Sequence, residues 1–114
     1  MKIYISGKIT GLDPKLAWMN FLSVEIRYFK RGINTVNPMN KKYLFNRIGK
    51  MPWYVYMACD IFLLLSCDTI YMQSNWKESR GSMIEHGIAK FLNYKIIYGK
   101  INRDDRKTIK GERK

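Results

Sequence analysis

The chain has 114 residues, 46% of them apolar, and a formal net charge of +12. That is enough for one domain with one ordinary core, and it leaves no room for a large lid or a second domain. No apolar run is long enough to cross a bilayer, so polyanions are the partners that the charge suggests.

In chain order, Met1-Lys2-Ile3-Tyr4-Ile5-Ser6 carries no signal-peptide pattern, and Lys2 to Ser6 reads as a buried strand. Gly7-Lys8-Ile9-Thr10-Gly11 is a loop bounded by glycines. Asp13-Pro14 is a helix start, with Asp as N-cap and Pro at the first helical position. Ala17, Phe21, Val24 and Tyr28 fall on one face of that helix, and Gly32 ends it. Ile33 to Val36 is a second strand, stopped by Asn37-Pro38. Met39 to Met51 is polar and basic, a long loop or irregular helix. Pro52 starts a second helix whose expected inner face is Met57, Ile61, Leu64 and Leu65, with Asp60 on or beside it. Asp68 to Gln73 is the third strand, and Ser74 to Glu78 is a loop carrying Trp76. A third helix is expected from Met83 to about Leu92, with Ile84, Ile88 and Phe91 inward and Asn93 as its stop. Lys95 to Tyr98 is a fourth strand.

Strands that alternate with helices predict a single α/β domain, 1–99, with a parallel sheet of four to five strands in a flavodoxin-like or Rossmann-like three-layer sandwich. Strand 1 is expected to be central. The remainder, 100–114, is a basic tail. Lys41, Lys42, Arg47 and Lys50 form a second basic patch. Solvated surface is the ordinary reading of both, and nucleic-acid binding through the tail is the rival. Cys59 and Cys67 lack metal-ligand spacing and predict free thiols in a reducing cytoplasm. No metal or cofactor is expected.

The loops after the parallel strands should share one crevice. The first loop is neither a Walker loop nor Gly-x-Gly-x-x-Gly, so alone it is a weak ligand signal. Ser79-Arg80-Gly81-Ser82-Met83-Ile84-Glu85 opens the third helix and has two readings. In one, Ser82-x-x-Glu85 is a capping box with no chemistry. In the other, Gly81 and Ser82 admit an anion to the helix N-terminus, and Glu85 is a nucleophile. Asp60 favours the second. Glycosidic-bond chemistry uses two carboxyl groups, one as nucleophile and one as proton handler, and a carboxyl beside an apolar face is otherwise costly. Tyr4 reads as a plain strand residue, His86 as a surface or interface residue, and Trp76 as a ring on which a base could stack.

Taken together, Ile3 to Gly11, Asn37-Pro38, Trp53 with Tyr56-Met57 and Asp60, Cys67-Asp68, Trp76, and Ser79-x-Gly81-Ser82-x-x-Glu85 with Ala89 resemble the nucleoside 2-deoxyribosyltransferase-like family, in its short phage and bacterial form. That superfamily includes deoxynucleoside 5′-monophosphate N-glycosidases. The resemblance implies Glu85 as nucleophile at the anomeric carbon, Asp60 as the acid that contacts sugar or base, and Tyr4 as a hydroxyl beside the nucleophile. It implies that Gly7, Lys8, Ile9, Thr10, Gly11 and Ser79 hold the nucleotide's phosphate or 5′ end. Ser6, Trp76, Gly81 and Ser82 complete the expected substrate-binding set. The first loop carries Lys8 and Thr10 where phosphate-specific relatives often have serine and arginine, which leaves nucleoside and monophosphate both open. The resemblance also implies a homo-oligomer, with Trp53, Tyr54 and the basic tail as contact candidates. The alternative is a catalytically silent nucleotide-binding or sequestering protein on the same fold.

Overall fold

The computed structural model describes residues 1–40 and 53–99. The expected irregular segment from residue 41, the Pro52 helix start and the tail 100–114 lie outside the described residues. The element order is β1 (Lys2–Ser6), α1 (Pro14–Phe29), β2 (Asn34–Val36), α2 (Trp53–Leu65), β3 (Thr69–Met72), α3 (Arg80–Phe91) and β4 (Lys95–Tyr98). The sheet is parallel throughout, in the order β2-β1-β3-β4. This is the α/β, flavodoxin-like arrangement expected, with four strands and β1 inside the sheet.

The ends of α1 follow from its sequence. The Asp13 carboxylate accepts from the Leu16 N–H at 3.1 Å, and Pro14 needs no donor partner at the first position. At the other end, Gly32 takes a φ of +74°, which lets its own N–H reach the Phe29 carbonyl and the Ile33 N–H reach that of Tyr28. That paired closure satisfies carbonyls the helix would leave open. Ala17, Phe21, Val24 and Tyr28 are the buried face.

Alternation along β1 splits the core into two halves. Ile3 and Ile5, with Tyr71 of β3, pack on Phe21, Val24 and Tyr28 of α1. Tyr4, with Ile70 and Met72 of β3, packs on Leu64 of α2 and Ala89 of α3. So α1 covers one face of the sheet, and α2 and α3 cover the other. Each fully buried aliphatic chain contributes about 1.5–3 kcal/mol.

Three details differ from the sequence expectation. Leu65 is exposed; of the expected inner face of α2, Met57 and Leu64 are buried and Ile61 is part-way. A 3-10 turn, Trp76–Glu78, replaces part of the expected loop. The third difference concerns α3, which starts at Arg80, three residues before the expected Met83. Its N-cap is Ser79, whose hydroxyl accepts from the Ser82 N–H at 3.2 Å. The inward residues are Ser82, Glu85 and Ala89, whereas Ile84 and Phe91 are exposed and Ile88 is half-buried. Small residues at Ser82 and Ala89 let the helix lie close to the sheet, and hydrogen bonds from β1 secure Glu85 between them. As expected, Asn93 closes the helix, with φ at 60° and the Tyr94 N–H on the Ala89 carbonyl.

From β1 the chain runs one way to β2, then crosses back to β3 and on to β4. The order therefore reverses between β1 and β3, and the crevice beyond their C-terminal ends is where such sheets hold ligands.

Candidate active site

Glu85 lies at this crevice. Its side chain is 5% exposed and faces β1, not its own helix start. The Tyr4 hydroxyl donates to one carboxylate oxygen at 2.8 Å, and the Ser6 hydroxyl donates to the other at 2.6 Å. Tyr4 and Ser6 are two apart on a strand, so both point to the same face of the sheet, the one α3 covers. The capping-box reading of Ser82 and Glu85 is thereby corrected. Ser79 is the cap, and Glu85 sits beyond the first turn with partners 79 and 81 residues away in sequence.

A cleft of about 590 Å³ opens above the carboxylate, within the range of small-molecule sites. Tyr4, Ser6, Gly7, Ile9 and Thr10 line it from β1 and the loop that follows. Ser79, Arg80, Gly81, Ser82 and Glu85 line it from the start of α3, whose partial positive charge faces inward to the cleft. Tyr56, Met57 and Asp60 line it from α2. Asp60 is 9% exposed, and both carboxyl groups singled out in the sequence line one cleft from different helices.

Three expected binding residues stand elsewhere. Lys8 turns toward the β3 side. Its N–H donates to Asn75 at 3.1 Å, and its ammonium pairs with the exposed Glu78 at 3.4 Å. Gly11 supplies the turn that closes the loop, with φ at +85°, and does not line the cleft. Trp76 also lies outside the lining. Its indole stacks on His86, with ring centroids 4.2 Å apart, and the His86 Nε2 meets the Tyr98 hydroxyl at 2.7 Å. His86 is therefore built into a ring cluster on the flank of α3.

Several lining residues were not among those expected. Phe21 reaches the cleft from the α1 core and Arg80 from the first position of α3. Outside the lining, Gln73 follows β3 and lies against Gly7, where any Cβ would come within 2.5 Å of its amide. Its Nε2 is buried and has no hydrogen-bond partner among the described residues. The glycine's missing side chain is the space that this amide fills.

The ring cluster makes stability depend on pH. Burial first, then repulsion from Lys90 and Lys77, holds His86 below its ordinary value. The unfolded chain then takes up a proton at higher pH than the folded one. Stability from neutral His86 is present above about pH 6.5 and is lost as pH falls through the folded value. The carboxylate of Asp68 is held low by the Lys2 N–H and then the Thr69 hydroxyl. Its contribution is lost only in more acidic solution. The urea midpoint is expected to fall from about pH 7 to 5, and to fall less in His86→Phe. Equal slopes in the two proteins would remove His86 from the account.

A family model described as a domain of unknown function, DUF4406, matches residues 1–98. The chain belongs to the DUF4406 family. The match spans the whole sheet and every residue of the cleft named above. No curated protein matches this DUF4406 chain. Among its described residues, no group of three or more His, Cys, Asp or Glu side chains is placed to hold a metal ion, and no helix is long and apolar enough to cross a membrane.

Proposed function

We propose that this DUF4406 domain is an enzyme of the nucleoside 2-deoxyribosyltransferase-like type. It cleaves or transfers the N-glycosidic bond of a 2′-deoxynucleoside or its 5′-monophosphate. The observation that supports this most is Glu85 itself, a buried carboxylate held by the Tyr4 and Ser6 hydroxyls at the wall of a cleft that also contains Asp60. A buried charge is expensive, and a fold retains one where its position matters.

In this reading a Glu85 oxygen attacks C1′ of the deoxyribose. The C1′–O bond forms as the C1′–N bond breaks, and the base leaves with the electron pair. Asp60 is the candidate that supplies a proton to the departing base. Water or a second base then attacks C1′, gives its proton to Asp60, and breaks the C1′–O bond to free the carboxylate. The hydroxyls of Tyr4 and Ser6 keep Glu85 aimed, which is worth more to rate than to affinity. The start of α3, with Ser79, Gly81 and Ser82, is the side on which the 5′ end would rest. The free thiols of Cys59 and Cys67 fit work in the cytoplasm.

The second reading, a silent nucleotide binder, draws on one feature of the same geometry. Both oxygens of Glu85 already accept hydrogen bonds, as they would in a purely structural carboxylate. Incubation with a panel of deoxynucleosides and monophosphates, with and without an acceptor base, separates the two. Free or exchanged base is expected, and tight binding with unchanged substrate would favour the binder. Tyr4→Phe keeps the ring in the core and removes one of the two donors. It is expected to lower kcat roughly tenfold at little change in KM, with a stability cost of about 1 kcal/mol. A changed KM at constant kcat would place Tyr4 in substrate binding instead.

A further inference from the structure

Asp60 and Glu85 are not the only carboxyl groups of the cleft, since Glu78 lines it as well. It ends the 3-10 turn that leads into the cap residue Ser79. Its side chain is 68% exposed, so it stands at the open side of the cleft and not at its floor. The bond-breaking steps assigned to the other two carboxyl groups leave it without a task.

The protein nevertheless holds this carboxylate in place. In the turn, the Glu78 N–H donates to the Asn75 carbonyl at 3.0 Å, and the Ser79 N–H donates to that of Trp76 at 3.1 Å. The Trp76 ring is stacked on His86. The Asn75 side chain accepts from the Lys8 N–H, and the Lys8 ammonium meets Oε1 of Glu78 at 3.4 Å. Lys8 does not line the cleft, so its charge reaches the carboxylate from behind. An exposed pair of this kind contributes little to stability. With Oε1 engaged by Lys8, Oε2 is left for the cleft.

A carboxylate only accepts hydrogen bonds. Beside it the cleft offers donors, the hydroxyls of Ser79 and Ser82 and the Arg80 guanidinium. Those suit a 5′ oxygen, or a phosphate that a carboxylate would repel. Glu78 suits a ligand group with a hydrogen to give. A 2′-deoxyribose has one ring hydroxyl, at C3′, and C3′ is bonded to C4′, which carries the 5′ carbon. A residue that holds the 3′ hydroxyl must therefore stand beside one that holds the 5′ end, and Glu78 and Ser79 are neighbours in the chain. The N–H groups of the base lie toward Asp60 in that placement, on the α2 side.

We propose that Glu78 accepts the hydrogen bond of the sugar's 3′ hydroxyl and so selects 2′-deoxynucleosides over their 2′,3′-dideoxy analogues. Lys8 is a positioning residue that acts through Glu78. The inference rests on the glycosidic reading for the placement of the sugar, with C1′ at Glu85 and the 5′ end at the start of α3. It concerns recognition, not bond cleavage.

Isothermal titration calorimetry tests it, with the four common 2′-deoxynucleosides and their 2′,3′-dideoxy analogues added to Glu85→Gln so that none is consumed. The dideoxy analogue is expected to bind roughly tenfold more weakly, as the loss of a hydrogen bond to a charged group requires. Glu78→Ala, added to that background, is expected to weaken the deoxynucleoside to the level of its analogue and to leave the analogue unchanged. Glu78→Gln, whose amide oxygen still accepts, should keep part of the preference, and Lys8→Met should lose part of it. A Glu78→Ala protein that binds both ligands more weakly by the same factor would make Glu78 merely structural and overturn the proposal. So would equal affinity for the two ligands before Glu78 is changed, or no binding of either. Base release is scored separately in the wild type. A 3′ preference without base release would leave this assignment standing and remove the glycosidic reading. Base release with equal kcat/KM from both ligands would do the reverse.

Discussion

Glu85→Gln is expected to fold normally and to release no measurable base, a loss of at least about 10³-fold in kcat. The substitution keeps the shape of the side chain. The amide oxygen still accepts from one hydroxyl, and the amide N–H can donate to the other, since Tyr4 and Ser6 can each reverse their role. The cost to the fold is therefore about 1 kcal/mol. The chemistry has no such tolerance. A neutral amide cannot attack C1′, and in this mechanism Asp60 is taken up with the proton of the departing base. Steady-state product release, with circular dichroism as the control, reads both halves. Turnover within a few-fold of wild type would remove Glu85 from the mechanism.

Phe21→Ala carries the largest expected stability effect, about 3–5 kcal/mol. Phe21 is 1% exposed and sits among Ile3, Ile5, Val24 and Tyr71, where α1 meets the sheet. Removing the ring leaves a cavity that a central parallel strand on one side and a helix on the other cannot close. For a domain of this size such a loss is a large share of the total stability. The same ring is part of the cleft wall, so surviving folded protein should also bind substrate more weakly. Urea unfolding with an unchanged m-value checks the stability. A cost under about 1 kcal/mol would mean the two layers repack freely, contrary to the close packing described.

Much of this molecule was legible before its structure. The start, inner face and stop of α1 came from Asp13-Pro14, the Ala17-Phe21-Val24-Tyr28 spacing and Gly32. These are local signals that nothing distant overrides. The parallel sheet followed from alternation of elements. The expectation that Glu85, Asp60, Tyr4 and the Gly7 to Gly11 loop would converge on one crevice went with it, and of these Lys8 and Gly11 do not line the cleft. The inner face of α3 was not legible. Periodicity reports where apolar residues lie, and Ile84 and Phe91 lie on the outside. Its orientation is set by hydrogen bonds from Tyr4 and Ser6 to Glu85, which are long-range and leave no mark on spacing. The start of α3 was displaced for a related reason. Ser82-x-x-Glu85 matches a capping box better than Ser79-x-x-Ser82 does, yet the Glu is used elsewhere and Ser79 takes the cap. Lys8 and Trp76 belong to the expected loops but do not line the cleft: Lys8 pairs with the lining residue Glu78 and Trp76 stacks on His86, which loop membership alone cannot reveal.

Glu85 as a nucleophile is the claim on which the proposed chemistry stands. Intact-protein mass spectrometry after incubation with a 2′-fluoro-substituted deoxynucleoside tests it most directly, because the fluorine slows breakdown of a glycosyl-enzyme more than it prevents formation. The account predicts one added sugar per chain, located on the peptide that contains Glu85 and missing from Glu85→Gln. Ready base release from the natural substrate with no adduct, or an adduct on another residue, would contradict it.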